Sequence, residues 1–313
     1  MPLRISVAIC THNGASVLRK ALRSIEAQTL PQDDFEVVVV DNASSDETPA
    51  IVREASERRR NMRYIREEKL GLSVARNTAA RVADAGLLAF LDDDAEAAPQ
   101  WLEALLSAFD RRSPVPACVG GPVSLDWGGT PPSWLPSRYR GLYSGLDLGV
   151  AGHYIASPEE YLIGANMAFR VDALRDNGGF DENLGRRGTT LISGEESALL
   201  GRFRAAGLPI YYEPQASVLH LVHPRRRTRR WLVSRTYWDG ASQPLIDYGK
   251  GRSRRFYAWH VCRDGKRLAE LSLRLSAVAF RRNSGRLADG ALDFIQRLGR
   301  LRTNILLTAT GGR

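Results

Sequence analysis

The run Phe35-Glu36-Val37-Val38-Val39-Val40 leaves a chain few folds to choose from. Consecutive β-branched residues disfavour helix, and a strand apolar at both odd and even positions has no face to give to water. Such a strand belongs in a sheet covered on both sides, usually by the helices that connect parallel strands. The surrounding sequence agrees. Arg4 to Cys10 reads as a second buried strand, after which Val17, Leu18, Ala21, Leu22 and Ile25 fall at helical spacing. Pro49 stands where a helix can open. Met62 to Arg66 reads as a short strand, Leu72 to Ala85 as an Ala-rich helix and Leu87 to Leu91 as another apolar strand. Pro99 and Trp101 then open an amphipathic helix that runs to about Asp110.

Strand and helix alternating in this way predict an α/β fold, a doubly wound and mostly parallel sheet flanked by helices. Ligands of such sheets bind beyond the carboxyl ends of the strands. Thr11, Asn13, Asp41, Asn42, Asp92, Asp93 and Asp94, which follow the strands, should therefore converge on one crevice. Beyond residue 120 the texture becomes rich in Gly, Pro, Trp and Tyr, which predicts a long functional loop over 120–160. Tyr161 to Arg170 reads as strand, Val171 to Asn177 as a short helix, and Glu195 to Ala206 as a helix closed by Gly207. Leu208 to Glu213 and Ser217 to Leu221 read as short strands. Helices separated by basic loops are expected further on, one of them with an apolar stripe of Leu268, Leu271, Leu275 and Val278.

The formal charge of +9 invites a nucleic-acid reading, but its distribution matters more than its total. Residues 1–220 carry 23 Lys and Arg against 29 Asp and Glu, a net of −6, whereas residues 221–313 carry 21 against 6, a net of +15. An acidic body thus carries a basic tail, and the expected division is 1–222 and 223–313. The tail shows no zinc pattern and no aromatic RNA-binding motif, so a solvated, packed helical extension or an anionic membrane surface suits it better than nucleic acid. Cys10, Cys118 and Cys262 lie too far apart in sequence for a zinc knuckle and suit a reducing compartment. No stretch reaches the roughly 18 apolar residues that span a bilayer. The expected location is cytoplasmic, with peripheral contact at the inner face of the cell membrane as an option for the tail.

Asp92-Asp93-Asp94 is the sharpest chemical feature. Adjacent carboxylates repel one another unless a cation is present. In extended chain, residues i and i+2 face the same way, so Asp92 and Asp94 can share one ligand. Oxygen donors suit Mg²⁺ or Mn²⁺, ions that also bind phosphates. A solvated turn or helix cap is the plainer alternative, but the position directly after a buried strand favours the cation. Asp41 can accept hydrogen bonds from a base or ribose, or simply close an Asx turn. Arg76 reads either as a diphosphate or Asp-cluster partner or as a surface arginine, and Glu195-Glu196 as a charged first helical turn or as catalytic carboxylates.

The order of these motifs resembles the family-2 glycosyltransferases of the GT-A type. The resemblance runs through Ser6 to Asn13, Val40 to Asp46, Gly71 to Asn77, Leu91 to Asp94, Gly164 to Arg170, Gly179 to Glu182, Gly194 to Glu196 and Val218 to His220. It covers about residues 4–223. It implies a GT-A-like, Rossmann-like catalytic domain that moves a sugar from a nucleotide-diphosphate donor to an acceptor hydroxyl, with inversion and with Mg²⁺ or Mn²⁺. Thr11, Asn13, Asp41, Arg76, Asp92 and Asp93 would line the nucleotide, with Asp92 and Asp94 as the ends of a DXD motif. Asp94 and His220 would hold the metal, and Gly164, Ala165 and Asn166 would form a wall of the sugar and acceptor site. Glu196 stands where the family usually has the aspartate base, a departure that leaves Glu195 as the alternative. Arg227 replaces the glutamine of the Gln-x-x-Arg-Trp motif of processive members, so a single-transfer enzyme is expected. The acceptor would be a carbohydrate, a lipid-linked sugar or a small molecule. Rival readings are a nucleotidyltransferase of similar fold, against which the absence of a Gly-rich basic loop after the first strand counts, and a nucleic-acid- or membrane-binding protein using the tail.

Overall fold

The computed structural model describes residues 2–157, 159–280 and 284–310, without the side chains of 274–280 and 284–288. The valine run lies where its composition requires. It forms strand β2 (Phe35–Asn42), buried at every residue, between β1 (Ile5–Thr11) and β3 (Met62–Glu67), both parallel to it. Strand β4 (Leu87–Leu91) pairs with β1 on its other side, also parallel. Alternate valines of β2 then feed two cores. Val37 and Val39 pack with Leu22, Ile51 and Leu105 of helices α1 (Leu18–Glu26), α2 (Thr48–Arg58) and α4 (Trp101–Arg111). Val38 and Val40 pack with Ala75 and Ala79 of α3 (Leu72–Val82) and with Phe169 and Phe203. Glu36, the one charge in the run, is buried but satisfied by the Ser6 hydroxyl (2.5 Å), the Asp84 amide (2.7 Å) and Arg63 (2.6 Å).

Past β4 the sheet departs from a purely parallel plan. Of the expected strand Tyr161 to Arg170, only Asn166–Arg170 pairs, as β9, antiparallel to β4 on one side and to β6 (Cys118–Gly120) on the other. Strand β10 (Ile210–Tyr212) and the two-residue β8 (His153–Tyr154) finish the order β3-β2-β1-β4-β9-β6-β10-β8. A second sheet, β5-β11-β7, joins Ala95–Ala97, Val218–Leu221 and Val123–Asp126, and it brings His220 opposite Ala95, directly beyond the Asp cluster. Helices α5 (Val171–Asp176) and α6 (Glu195–Ala205) follow β9. The expected helices thus form. Of these, α3, α5 and α6 end a little short of their sequence-based limits, because caps and first loop residues carry helical periodicity without helical hydrogen bonds.

The chain divides into two compact units, Met1–Glu182 with Glu196–His223, and Asn183–Glu195 with Pro224–Arg313. In the second, α7 (Arg229–Gly249), α8 (Arg254–Phe280) and α9 (Ser284–Thr310) form a helical assembly in which α9 packs on both others. Helices α7 and α9 meet so closely at Gly240 and Gly299 that a Cβ on Gly240 would lie 1.8 Å from the Gln296 carbonyl oxygen. Asp264 is fully buried there and accepts two hydrogen bonds from Arg300, at 2.6 and 2.9 Å. The segment before α6 is seated on α7: the Ser193 amide donates to the Ser242 hydroxyl (3.0 Å) and Arg235 donates to the Ser193 hydroxyl (3.1 Å). No helix among the described residues is long and apolar enough to cross a membrane.

Candidate active site

The carboxyl ends of β1, β2 and β4 converge, and their polar residues meet. The Thr11 hydroxyl at the end of β1 donates to Asp93 (2.5 Å), tying the first strand to the Asp cluster. Asn13, in the left-handed backbone region at φ 53°, donates its amide to the Ser44 hydroxyl and accepts from the Ser45 amide, each at 2.8 Å. These bonds join the loops after β1 and β2. Asp41 is fully buried at the end of β2 and accepts from the Ser44 amide (2.9 Å), the Tyr64 hydroxyl (2.6 Å) and Arg66 (2.9 Å). Burial alone would raise its pKa, but the hydrogen bonds from Ser44 and Tyr64 and the Arg66 charge bring it below the ordinary carboxylate value.

Tyr64 and Arg66 line the site although no sequence motif marks them. Their signal is the spacing: two residues apart on β3, beside the strand that carries Asp41 near its end, with Arg66 in register with it. Asn42, in sequence terms a polar residue after a strand, has a structural task. Its side chain donates to the carbonyls of Glu67 (3.2 Å) and Lys69 (2.8 Å) and accepts from the Gly71 amide (2.7 Å), so it anchors the loop that leads into α3.

Arg76 is no surface arginine. Its side chain is 3% exposed, its guanidinium carbon lies 6.0 and 5.4 Å from the ring centres of Phe90 and Phe180, and it reaches Asp92 (3.4 Å) and Glu196 (3.2 Å). Asn77, next to it, accepts from the Phe180 amide (2.8 Å) and donates to the Phe180 carbonyl (2.9 Å), which fixes one wall of this aromatic box. Arg76 therefore links the first aspartate of the cluster to the carboxylate at the start of α6. Glu196 keeps 19% side-chain exposure, whereas Glu195 is buried.

Gly164 explains how the pair fits. A Cβ there would stand 2.2 Å from a Glu196 carboxylate oxygen and 2.4 Å from an Arg76 nitrogen, so a larger residue would push these side-chain ends out of their present positions. Gly164→Ala is expected to lower kcat at least about tenfold by displacing the pair, and to cost on the order of 1–3 kcal/mol of stability through overpacking. Donor turnover and thermal unfolding of the variant test both. Ala165 and Asn166 are fully buried, and the Asn166 amide is spent within the protein: it accepts from Trp101 Nε1 (2.8 Å) and donates to the carbonyls of Ala216 (2.7 Å) and Pro122 (3.1 Å). Of the expected wall, Gly164 meets the polar groups of the site and Asn166 staples the core beneath it.

Ligand atoms of Asp92, Asp94 and His220 all lie within 4.8 Å of one another. His220 is 1% exposed, its Nε2 is 3.1 Å from Asp94, and its Nδ1 meets no hydrogen-bond partner among the described residues. Two carboxylates and a buried imidazole whose Nε2 faces one of them form a donor set that fits a divalent cation. Cys10 lies nearby, but burial, only partly offset by Arg76, pushes its thiol up to about 12, so no thiolate nucleophile is present at neutral pH.

A doubly covered α/β sheet with an aspartate cluster at its switch from parallel to antiparallel strands, and a histidine beside it on a second small sheet, is a GT-A type of fold. The chain belongs to glycosyl transferase family 2, whose profile matches residues 6–178. A glucosyl-dolichyl phosphate glucuronosyltransferase of Haloferax volcanii is 27% identical over 248 residues, 78% of each chain. A pre-mycofactocin glycosyltransferase of Mycobacterium tuberculosis is 32% identical over 248 residues, 77% of this chain; the chain spans 47% of that relative. Among solved structures, the mannosyltransferase PcManGT from Pyrobaculum calidifontis, in complex with GDP-Man and Mn²⁺, superposes with a TM-score of 0.61 at 20% identity, covering 99% of this chain and 89% of that one. The protein is accordingly a glycosyltransferase.

Proposed function

We propose that this enzyme transfers one sugar from a nucleoside diphosphate sugar to an acceptor hydroxyl with inversion, and that its site is organised by Arg76. The observation that carries the reading is the chain Asp92–Arg76–Glu196, which places a cation-binding cluster and a partly exposed carboxylate on two sides of one guanidinium. Asp41, Tyr64 and Arg66, with Thr11 and Asn13, would line the base and ribose, and Asp93, bonded to Thr11, would brace the strand ends. Asp92, Asp94 and His220 would hold the ion. An imidazole in the set favours Mn²⁺ over Mg²⁺, because Mg²⁺ prefers oxygen ligands. When bound, the ion supplies counter-charge for the departing diphosphate. Glu196 takes the proton of the acceptor hydroxyl, a weak nucleophile at neutral pH, and Arg76 holds that carboxylate in place. The roles are divided along the chain, with donor chemistry in 1–222 and acceptor delivery assisted by 223–313. The acceptor would be presented at an anionic membrane surface, a reading supported by the net charge of +15 on residues 221–313 and by the lipid-linked substrate in the name of the Haloferax relative.

Screening of nucleotide sugars with and without EDTA is the direct test. A donor is expected to yield nucleoside diphosphate only when metal is present, and proton coupling constants of the product should report the opposite anomer. Release of pyrophosphate would instead identify a nucleotidyltransferase, and retention of the anomer would remove Glu196 from the role of sole base.

A further inference from the structure

The described part of the expected apolar stripe of α8 is largely covered, with Leu271 half-buried. Leu268 is buried with Tyr257 and Asp264 on the inward face of the helix, and the side chains of Leu275 and Val278 lie outside the described residues. The opposite face is the unusual one. At helical spacing it carries Arg255, Trp259, Arg263, Lys266 and Leu273, with Arg252 just ahead of the helix. Trp259 is 59% exposed and Leu273 75% exposed, a large solvent share for an indole and a leucine, and Arg263 lies 4.9 Å from the Trp259 ring centre. The described carboxylate on this face is Glu270, which Arg267 already neutralises at 2.9 Å.

We propose that this face of α8 is the surface by which the enzyme docks on an anionic lipid bilayer, with Trp259 seated at headgroup depth and Arg252, Arg255, Arg263 and Lys266 on lipid phosphates. The inference rests on the membrane reading given above and assigns it a place. An indole with charged neighbours suits the bilayer interface, where its ring is half apolar and half wet. Each cation near an anionic surface contributes about fivefold to binding, and an arginine matches a phosphate with a fork of donors. A nucleic acid is the poorer fit. Base stacking needs a series of open aromatic faces, and here a single indole stands with Arg263 over one side of it; exposed Leu273 has no role in a phosphate groove. A second copy of the chain fits no better, since pairing this face with itself would bring like charges together.

Co-sedimentation of the full chain with vesicles of phosphatidylglycerol in phosphatidylcholine, and of phosphatidylcholine alone, tests the proposal. Binding is expected only to the anionic vesicles, weakening as salt rises. Arg255→Glu with Lys266→Glu should lower it at least about twentyfold, and Trp259→Ala severalfold. Reversal of the exposed Arg53 and Arg60, which makes the same charge change elsewhere, should leave it nearly intact, and circular dichroism would establish that all variants fold. Wild-type binding that survives the α8 substitutions would overturn the assignment of this face while leaving membrane docking standing. No wild-type binding to anionic vesicles would overturn both, without touching donor turnover, which is measured in solution. Tighter binding of single-stranded RNA than of vesicles, lost in the same variants, would also overturn the lipid assignment.

Discussion

Replacing Glu196 with glutamine is expected to lower kcat by roughly 10²–10⁴ while leaving donor affinity nearly unchanged. The substitution keeps shape and still accepts a hydrogen bond from Arg76, which stands 3.2 Å from the carboxylate, so the geometry survives and only the basicity is lost. Glu195→Gln should reduce turnover less than about tenfold, because Glu195 is buried whereas Glu196 keeps solvent access for an acceptor hydroxyl. Single-turnover rates, with donor binding measured separately by calorimetry, distinguish these cases. Loss of activity in Glu195→Gln with Glu196→Gln intact would reverse the assignment.

The second large effect is expected at Asp94. Asp94→Asn should weaken Mn²⁺ binding by at least about 100-fold and abolish metal-dependent turnover, since removing a ligand costs more than the roughly 10–100-fold typical of residues that only support one. The loss should exceed that of His220→Gln, which leaves both carboxylates. Paramagnetic resonance of free Mn²⁺ reads the affinity directly and does not depend on catalysis. Unaltered Mn²⁺ binding in Asp94→Asn would remove the ion from this cluster.

Much of the catalytic unit is legible in the amino-acid sequence, for reasons that differ by element. The valine run announces a doubly covered strand because four β-branched residues in succession have one comfortable environment. The aspartates after Leu91 mark a candidate cation site, and the structure brings Asp92 and Asp94 together with His220 while Arg76 and Thr11 offset part of their repulsion. The second sheet is hidden: strands of three or four residues, such as Ala95–Ala97 and Val123–Asp126, are too short to show a period, and their pairing depends on contacts far apart in sequence. The antiparallel course of β9 is hidden for the same reason, since a strand's direction is not written in its side chains.

Within the site, sequence misleads where a side chain's polarity stands in for its purpose. Asn166 lies in a motif rich in functional residues, yet its amide spans the core between Trp101, Pro122 and Ala216. Arg76 is a different case: its expected reach to the Asp cluster is seen at Asp92, whereas its box of Phe90 and Phe180 is hidden because they are distant along the chain. The stripe containing Leu268 is a true periodicity, and its described members, Leu268 and Leu271, are buried and half-buried. The Trp259 face on the other side carries no periodic apolar signal to announce it.

The grouping of residues 183–195 with the helices of 224–313 gives the chain an interleaved inheritance. The segment leading to the two glutamates lies in sequence between parts of the catalytic unit, while Ser193 is fastened to Ser242 and Arg235 on α7. The tail is therefore not a removable accessory. Recombination that exchanged 224–313 alone would leave 183–195 matched to helices no longer present, whereas exchanging both pieces would carry the seat and its strap together. A substitution at Ser242 or Arg235 on α7 therefore calls for a matching change at Ser193 on the strap.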